Sequence, residues 1–341
     1  MTSLPPPPPW DVHRLPRAEG RNFLATGGNA GIGYFVAEQL AATGATVVLG
    51  SRDRARAEAA IASIGSRVPG ARVRHLPLDL ADLASLGPSV DALGLDRLDA
   101  VVHNAGVALD HPPRRETVDG HELMFATNHL GHFALTHHLA PLLAATPGSR
   151  IVTTGSFAAK TEHLDLDDLQ STRDYRPKRT YARSKLAQML FAVELDRRLR
   201  AAGSTTPSLL VHPGGALDSL TPSRPPVHVR TTGERLRHLP LGLVVQGKDA
   251  AAWPAVRAVL DPAVLDPAVR GGRMWSPRAF GLRGAPRAEP LWSHLTDTAT
   301  AGRLWAASRE LTGLDPAPAT CDDSRGPGRS GPEPDDARRD R

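Results

Sequence analysis

The chain has 341 residues, with 41 basic and 36 acidic side chains and a formal charge of +5. Four of the basic residues are lysines, and the 37 arginines are spread along the chain with neither aromatic interleaving nor zinc-finger spacing, which argues against a nucleic-acid surface. The single cysteine, Cys321, excludes an internal disulfide, and no apolar stretch approaches a secretory leader or a membrane span, so a soluble, cytoplasmic protein without a membrane partner is expected.

The proline run MTSLPPPPPW opens residues 1–20, which are expected to be extended and disordered. Asn22 to Thr26 is a short apolar strand that ends in glycines, and GIGYFVAEQLAATG follows with helical periodicity. TVVLG (46–50) is a second buried strand, followed by the helix RDRARAEAAIASIG. Arg72 to Leu78 forms a third strand, closed by Asp79. A helix around Leu83 to Leu93 leads to a fourth strand at Leu98 to His103. One long helix is then predicted from Gly120 to Ala145, and a fifth strand from Arg150 to Thr154. The helix that carries Tyr181 precedes a sixth strand, Ser208 to Val211.

Thr221 to Gly247, rich in proline and arginine with an apolar end at Leu239 to Val245, reads as a flexible cover over a substrate. GGRMWSPRAFGLRG reads as a terminal strand and loop, and TAGRLWAASRELTG as a final helix for packing or dimerisation. The tail, residues 316–341, lacks the apolar residues that would offset ordering entropy and is expected to be disordered. Residues 21–315 therefore read as one α/β domain, a doubly wound parallel sheet of the Rossmann type with its ligand at the carboxyl ends of the strands.

Two stretches carry chemistry. In Thr26-Gly-Gly-Asn-Ala-Gly-Ile-Gly33, Gly27 permits a tight turn, Gly31 lets backbone approach a ligand, and Gly33 allows close helix–strand packing. The helix that starts there offers free N–H groups and a positive dipole end to a pyrophosphate. Tyr181 and Lys185, four residues apart, fall on one helix face, where an ammonium favours the phenolate and suits the phenol to proton transfer. The histidines at 129, 132, 137 and 138 read as solvated or hydrogen-bonded residues, because no carboxylate or cysteine converges with them in sequence; no metal is expected.

TGGNAGIG, His103-Asn-Ala-Gly106 and YARSK, in this order, resemble the short-chain dehydrogenase/reductase family. GSRD and LDLDDLQ add a likeness to its retinol-dehydrogenase-like branch, over about Arg21 to Ser219. The resemblance implies cofactor contacts at Gly27, Asn29, Gly31, Ile32 and Gly33, at Asp79 and Leu80 for the adenine, and at Asn104, Ala105 and Gly106 beside the adenosine half. Pro213 and Gly214 would flank the nicotinamide. Ser51 and Arg52 stand where NAD users of the family carry an acid, and a guanidinium suits a 2′-phosphate, so NADP is expected over NAD.

The family's catalytic four fall on Asn128, Ser156, Tyr181 and Lys185. Ser156 would bind the substrate oxygen, Tyr181 exchange the proton, Lys185 tune Tyr181 and hold the nicotinamide ribose, and Asn128 position a water. Two positions depart from the pattern: Gly155 replaces a frequent serine, and Asp218 replaces a threonine that contacts the nicotinamide. The implied function is NADP(H)-dependent interconversion of a small-molecule alcohol and its ketone or aldehyde, in a homo-oligomer as is common in the family. The alternative is an NADP-binding regulator with little chemistry.

Overall fold

The expected βα alternation builds one eight-stranded sheet in the computed structural model, which describes residues 10–229, 231, 233, 237–266 and 272–316. In chain order the strands are β1 (Asn22–Thr26), β2 (Thr46–Ser51), β3 (Arg72–Pro77), β4 (Ala100–His103), β5 (Arg150–Thr154), β6 (Ser208–Val211), β9 (Arg273–Ala279) and β10 (Arg283–Pro290). They lie in the order β3-β2-β1-β4-β5-β6-β9-β10, parallel except for the β9–β10 hairpin. β7 (Ala216–Leu217) and β8 (Gln246–Gly247) pair separately. The order reverses between β1 and β4, which leaves a crevice at their carboxyl ends.

Apolar helices cover both faces. On one side α1 (Gly31–Ala41) buries Tyr34 and Phe35 against β1 and β2, and α8 (Trp253–Leu260) buries Val256 and Val259 against β5, β6 and the β9–β10 hairpin, with α2 (Arg54–Arg67) beside α1. On the other, α3 (Leu86–Asp91), α5 (Gly131–Ala144) and α6 (Pro177–Ala201) bury Phe133, Leu139 and Phe191. The last helix, α9 (Thr298–Thr312), docks on α6: Trp305 sits 5.1 Å from the Phe133 ring, with the Arg198 guanidinium 4.4 Å above it. Its apolar face is thus spent on packing within the chain.

Three expectations need correction. The long helix is interrupted: Glu122 caps a single turn, α4 (Leu123–Phe125), and a π-helical turn, Ala126–Leu130, precedes α5. At the end of this turn a Cβ on Gly131 would overlap the Leu80 carbonyl oxygen; the glycine lets the turn press on the loop after β3. The terminal strand is a hairpin whose second strand, β10, contains Pro286 and Pro290, residues tolerated only at a sheet edge. Within 1–20, the part from Trp10 is attached: Trp10 and Leu15 pack on the core, Ala18 is buried, and its N–H donates to Thr43 O at 2.9 Å. The expected cover is pinned at its start, where Arg224 pairs with Glu38 of α1 at 2.6 Å and His228 stacks on Phe35. The proline run before Trp10, the tail beyond Pro316 and Cys321 lie outside the described residues.

Candidate active site

Thr26, the last residue of β1, organises the crevice. Its buried Oγ1 accepts from the N–H groups of Asn104 and Ala105 at 3.0 and 2.9 Å, and the Asn104 amide donates to Thr26 O at 3.2 Å. The loop after β4 is thereby held against the glycine-rich turn. Gly27, with φ +65°, leaves only 3.0 Å between an added Cβ and the Ala105 backbone. A Cβ on Gly33 would overlap the Asn104 amide and the Gly27 carbonyl. Gly31, with φ +58°, faces open space. Two of these glycines therefore serve close packing and the third leaves room for a ligand.

The cleft above this turn has a volume of about 470 Å³. Of the residues expected to hold a cofactor, it is lined by Gly27, Asn29, Gly31, Ile32, Ser51, Arg52, Asp79, Leu80, Asn104, Ala105 and Gly106. Gly33 lies beneath it as a packing residue, and Lys185, Tyr181, Pro213 and Gly214 are not part of its lining. Ser51 Oγ is buried without a partner at its edge, an orphaned hydroxyl that a polar ligand would satisfy. Arg52 Nε stands 3.8 Å from Asp79 Oδ1, both side chains largely exposed, while the other Asp79 role is a turn bond from Ala81 N. A dinucleotide fits this donor set: backbone N–H groups at the start of α1, an unpaired hydroxyl and guanidinium groups. Sequence reasoning missed Arg56 and Lys248 in the same lining. Arg56 was hidden among the arginines of α2. Lys248, ion-paired with Asp218, comes from a distant turn, α7 (Lys248–Ala251).

The catalytic candidates converge at the carboxyl end of β5. Ser156 follows that strand and caps the short turn Phe157–Ala159, accepting from Ala158 N at 3.3 Å. Its neighbour Gly155 packs against Met189, whose Sδ would lie 2.9 Å from an added Cβ, so the departure from serine there is a packing adjustment. Lys185 is buried in α6 and its Nζ donates to Thr154 O, the last carbonyl of β5, at 2.7 Å. Tyr181 stands one turn earlier on α6, partly exposed. Asn128 lies in the π turn with its side chain committed: Oδ1 accepts from Val107 N at 2.7 Å, and Nδ2 donates to Val107 O and Ser184 Oγ. Ser184 donates to Tyr181 O at 2.7 Å, so Asn128 braces the Tyr181 turn against the loop after β4.

Pro213 and Gly214 form the turn after β6. Gly214, with φ +75°, lies so close to Leu282 of the β9–β10 turn that a Cβ would strike the carbonyl carbon at 3.0 Å. Asp218 lies just beyond and pairs with Lys248.

Burial sets the charge of this region. It lowers Lys185 to about 7 and holds His132 and His129 to about 3, with His103 also far below the ordinary range. Two of them have separate partners, His129 Nε2 meeting Ser308 Oγ at 2.7 Å and His132 Nε2 meeting Thr26 Oγ1 at 2.9 Å, while both ring nitrogens of His103 are buried without one. Among the described residues, no group of three or more His, Cys, Asp or Glu side chains is placed to hold a metal. The histidines also make the fold acid-sensitive. Each is neutral when folded but protonates near its ordinary pKa of 6.5 when unfolded. Stability is therefore full above that value and lost as pH falls toward about 3. Thermal unfolding should show a melting temperature that drops continuously from about pH 7 to about pH 4.5; a flat profile would contradict neutral burial of these rings.

The short chain dehydrogenase family model matches residues 21–166. Mouse (Mus musculus) polyprenol dehydrogenase is 39% identical over 307 residues, covering 88% of this chain and 86% of that protein. Human (Homo sapiens) retinol dehydrogenase 13 is 36% identical over 306 residues, covering 87% and 86%. Among solved structures, a protein from Mycobacterium paratuberculosis superposes with a TM-score of 0.70 at 34% identity, over 90% of this chain and 98% of that one. A short chain dehydrogenase from Burkholderia cenocepacia J2315 in complex with NADP gives a TM-score of 0.54 at 25% identity, over 74% and 94%.

The chain belongs to the short-chain dehydrogenase/reductase family, on its retinol-dehydrogenase-like branch. It is an oxidoreductase of alcohols and carbonyl compounds. Among the described residues, no helix is long and apolar enough to cross a membrane.

Proposed function

We propose that this protein uses NADP(H) to interconvert an apolar, isoprenoid-type alcohol and its carbonyl compound. The observation that carries the reading is the bond from Lys185 to the last carbonyl of β5, the strand that Ser156 follows, made from the helix that carries Tyr181 one turn earlier. When bound, NADP(H) supplies or accepts the hydride. In the direction of reduction, Ser156 Oγ binds the carbonyl oxygen and the Tyr181 hydroxyl gives it a proton. Lys185 replenishes that proton and, with the glycine-rich turn, fixes the cofactor's position.

The substrate class follows from two supports. Relatives carry the names polyprenol dehydrogenase and retinol dehydrogenase. On this chain, Leu239, Leu241, Leu243 and Val244 are exposed in the segment before β8, and Phe280, at 92% exposure, tips the β9–β10 turn. Arg283 donates to Leu243 O at 2.9 Å, which joins the two elements beside the Gly214 turn. An apolar rim there suits a long hydrocarbon chain.

The preference for NADP rests on Ser51, Arg52 and Arg56 around the end of β2. Arg52→Ala should raise the Kd for NADPH about 10- to 100-fold, the worth of a charged hydrogen bond, and leave the Kd for NADH nearly unchanged. Fluorescence titration with both cofactors checks this. Equal weakening of the two would remove Arg52 as a 2′-phosphate ligand.

A further inference from the structure

Lys185 sits in a buried polar chain that runs back to the glycine-rich turn. Besides Thr154 O, its Nζ donates to Oε1 of Gln188, three residues on in α6. The Gln188 nitrogen faces His132 Nδ1 at 3.2 Å, and His132 Nε2 meets Thr26 Oγ1 at 2.9 Å. All four side chains are buried. Among the described residues, none of the ion pairs includes Lys185, so a neutral amide oxygen stands where a carboxylate would ordinarily be found beside a buried ammonium.

The hydrogen-bond pattern ties the direction of this amide to the state of the amine. With the Gln188 nitrogen donating to Nδ1, the single proton of the neutral ring lies on Nε2 and is donated to Thr26 Oγ1. Oε1 then faces Lys185 and accepts from an ammonium. Asn128 O also lies 3.0 Å from His132 Nδ1, which suits the opposite tautomer. In that state the amide must turn over and present its N–H groups to Lys185, which only an unprotonated amine can accept.

We propose that Gln188 and His132 are positioning residues that set the charge of Lys185, the Gln188 oxygen holding the head group as an ammonium while His132, anchored on Thr26, fixes which end of the amide faces it. The consequence for turnover rests on the function proposed above; the claim about charge concerns the free protein.

Several groups face the amine. The His132 ring comes from α5, with His103 of β4 tilted against it at 4.7 Å between ring centres. His212 follows β6 and is held to about 4 mainly by burial, with a contribution from the Lys185 charge. Tyr181 lies on the same helix, and β5 presents the Thr154 carbonyl. None of these neighbours is a carboxylate. Removing the Gln188 acceptor should therefore destabilise the ammonium, and supplying a carboxylate should stabilise it.

The chain has four lysines, Lys160, Lys178, Lys185 and Lys248, so an NMR titration of protein labelled at the lysine Cε carbons resolves each one, with Lys185→Met to assign the signal. Gln188→Met should move the Lys185 midpoint down by about one pH unit, and the near-isosteric Gln188→Glu should move it up by at least about as much. Opposite shifts from one position are not produced by loosened packing. Should Gln188→Met fail to fold, the upward shift in Gln188→Glu tests the proposal alone. Unchanged midpoints would overturn it. So would Lys185→Met abolishing turnover while Gln188 variants titrate as wild type, which leaves the proposed reaction standing. The predicted shifts together with full turnover in Lys185→Met would support the charge assignment and sink the catalytic reading instead.

Discussion

Tyr181→Phe should lower turnover about 10²- to 10⁴-fold, the range for loss of a positioned general acid or base, while NADPH binding stays close to wild type. The hydroxyl is the only group removed. The ring remains on α6, and Lys185 keeps its bonds to Thr154 O and Gln188. The cleft lined by the glycine-rich turn does not include Tyr181, so affinity for the adenosine half has no reason to change. Steady-state kinetics combined with fluorescence titration of NADPH separates the two effects. A loss of binding as large as the loss of turnover would mean that the variant disturbs the site rather than its chemistry.

Gly33→Ala should be strongly damaging for a single added methyl. A Cβ at this position overlaps the Asn104 amide and the Gly27 carbonyl, and Asn104 is tied by its N–H to Thr26 Oγ1 at 3.0 Å. The Gly27 carbonyl is backbone and the Asn104 amide is held by its bond to Thr26 O at 3.2 Å, so the turn, the loop after β4 or α1 must move. Overpacking of this kind costs about 1–3 kcal/mol. Because the same shift displaces the N–H groups at the start of α1, NADPH affinity should fall together with melting temperature. Gly31→Ala gives a contrast: it faces open space, and its penalty comes from the left-handed backbone and from the ligand side. Calorimetry and cofactor titration of the two variants should show lost stability dominating at Gly33 and lost binding dominating at Gly31.

The parallel sheet and the cleft were legible in the sequence because they rest on local signals. Buried parallel strands are short continuous apolar runs, and a turn that must admit backbone and ligand needs glycine at set positions. What escaped were features fixed by distant contacts. The break before α5 falls where Gly131 meets the Leu80 backbone, and nothing between Gly120 and Ala145 announces it. β10 reads poorly as a strand because Pro286 and Pro290 are acceptable only at an edge, which β9 defines. Trp10 and Leu15 follow a proline run and find their apolar partners on the finished domain. At the site, Lys185 was visible from its spacing to Tyr181, but Gln188 and His132 were not. Their part in the polar chain requires α5 and α6 to lie side by side.

Transfer of a labelled hydride tests the central claim most directly. The protein is incubated with NADPH deuterated at the transferable position of the nicotinamide and with a panel of isoprenoid aldehydes, and the product alcohols are weighed by mass spectrometry. The account predicts an alcohol that carries one deuterium, formed by the wild type and at least about 10²-fold more slowly by Tyr181→Phe. Tight NADPH binding with no deuterium in any product, across aldehydes and ketones alike, would contradict it.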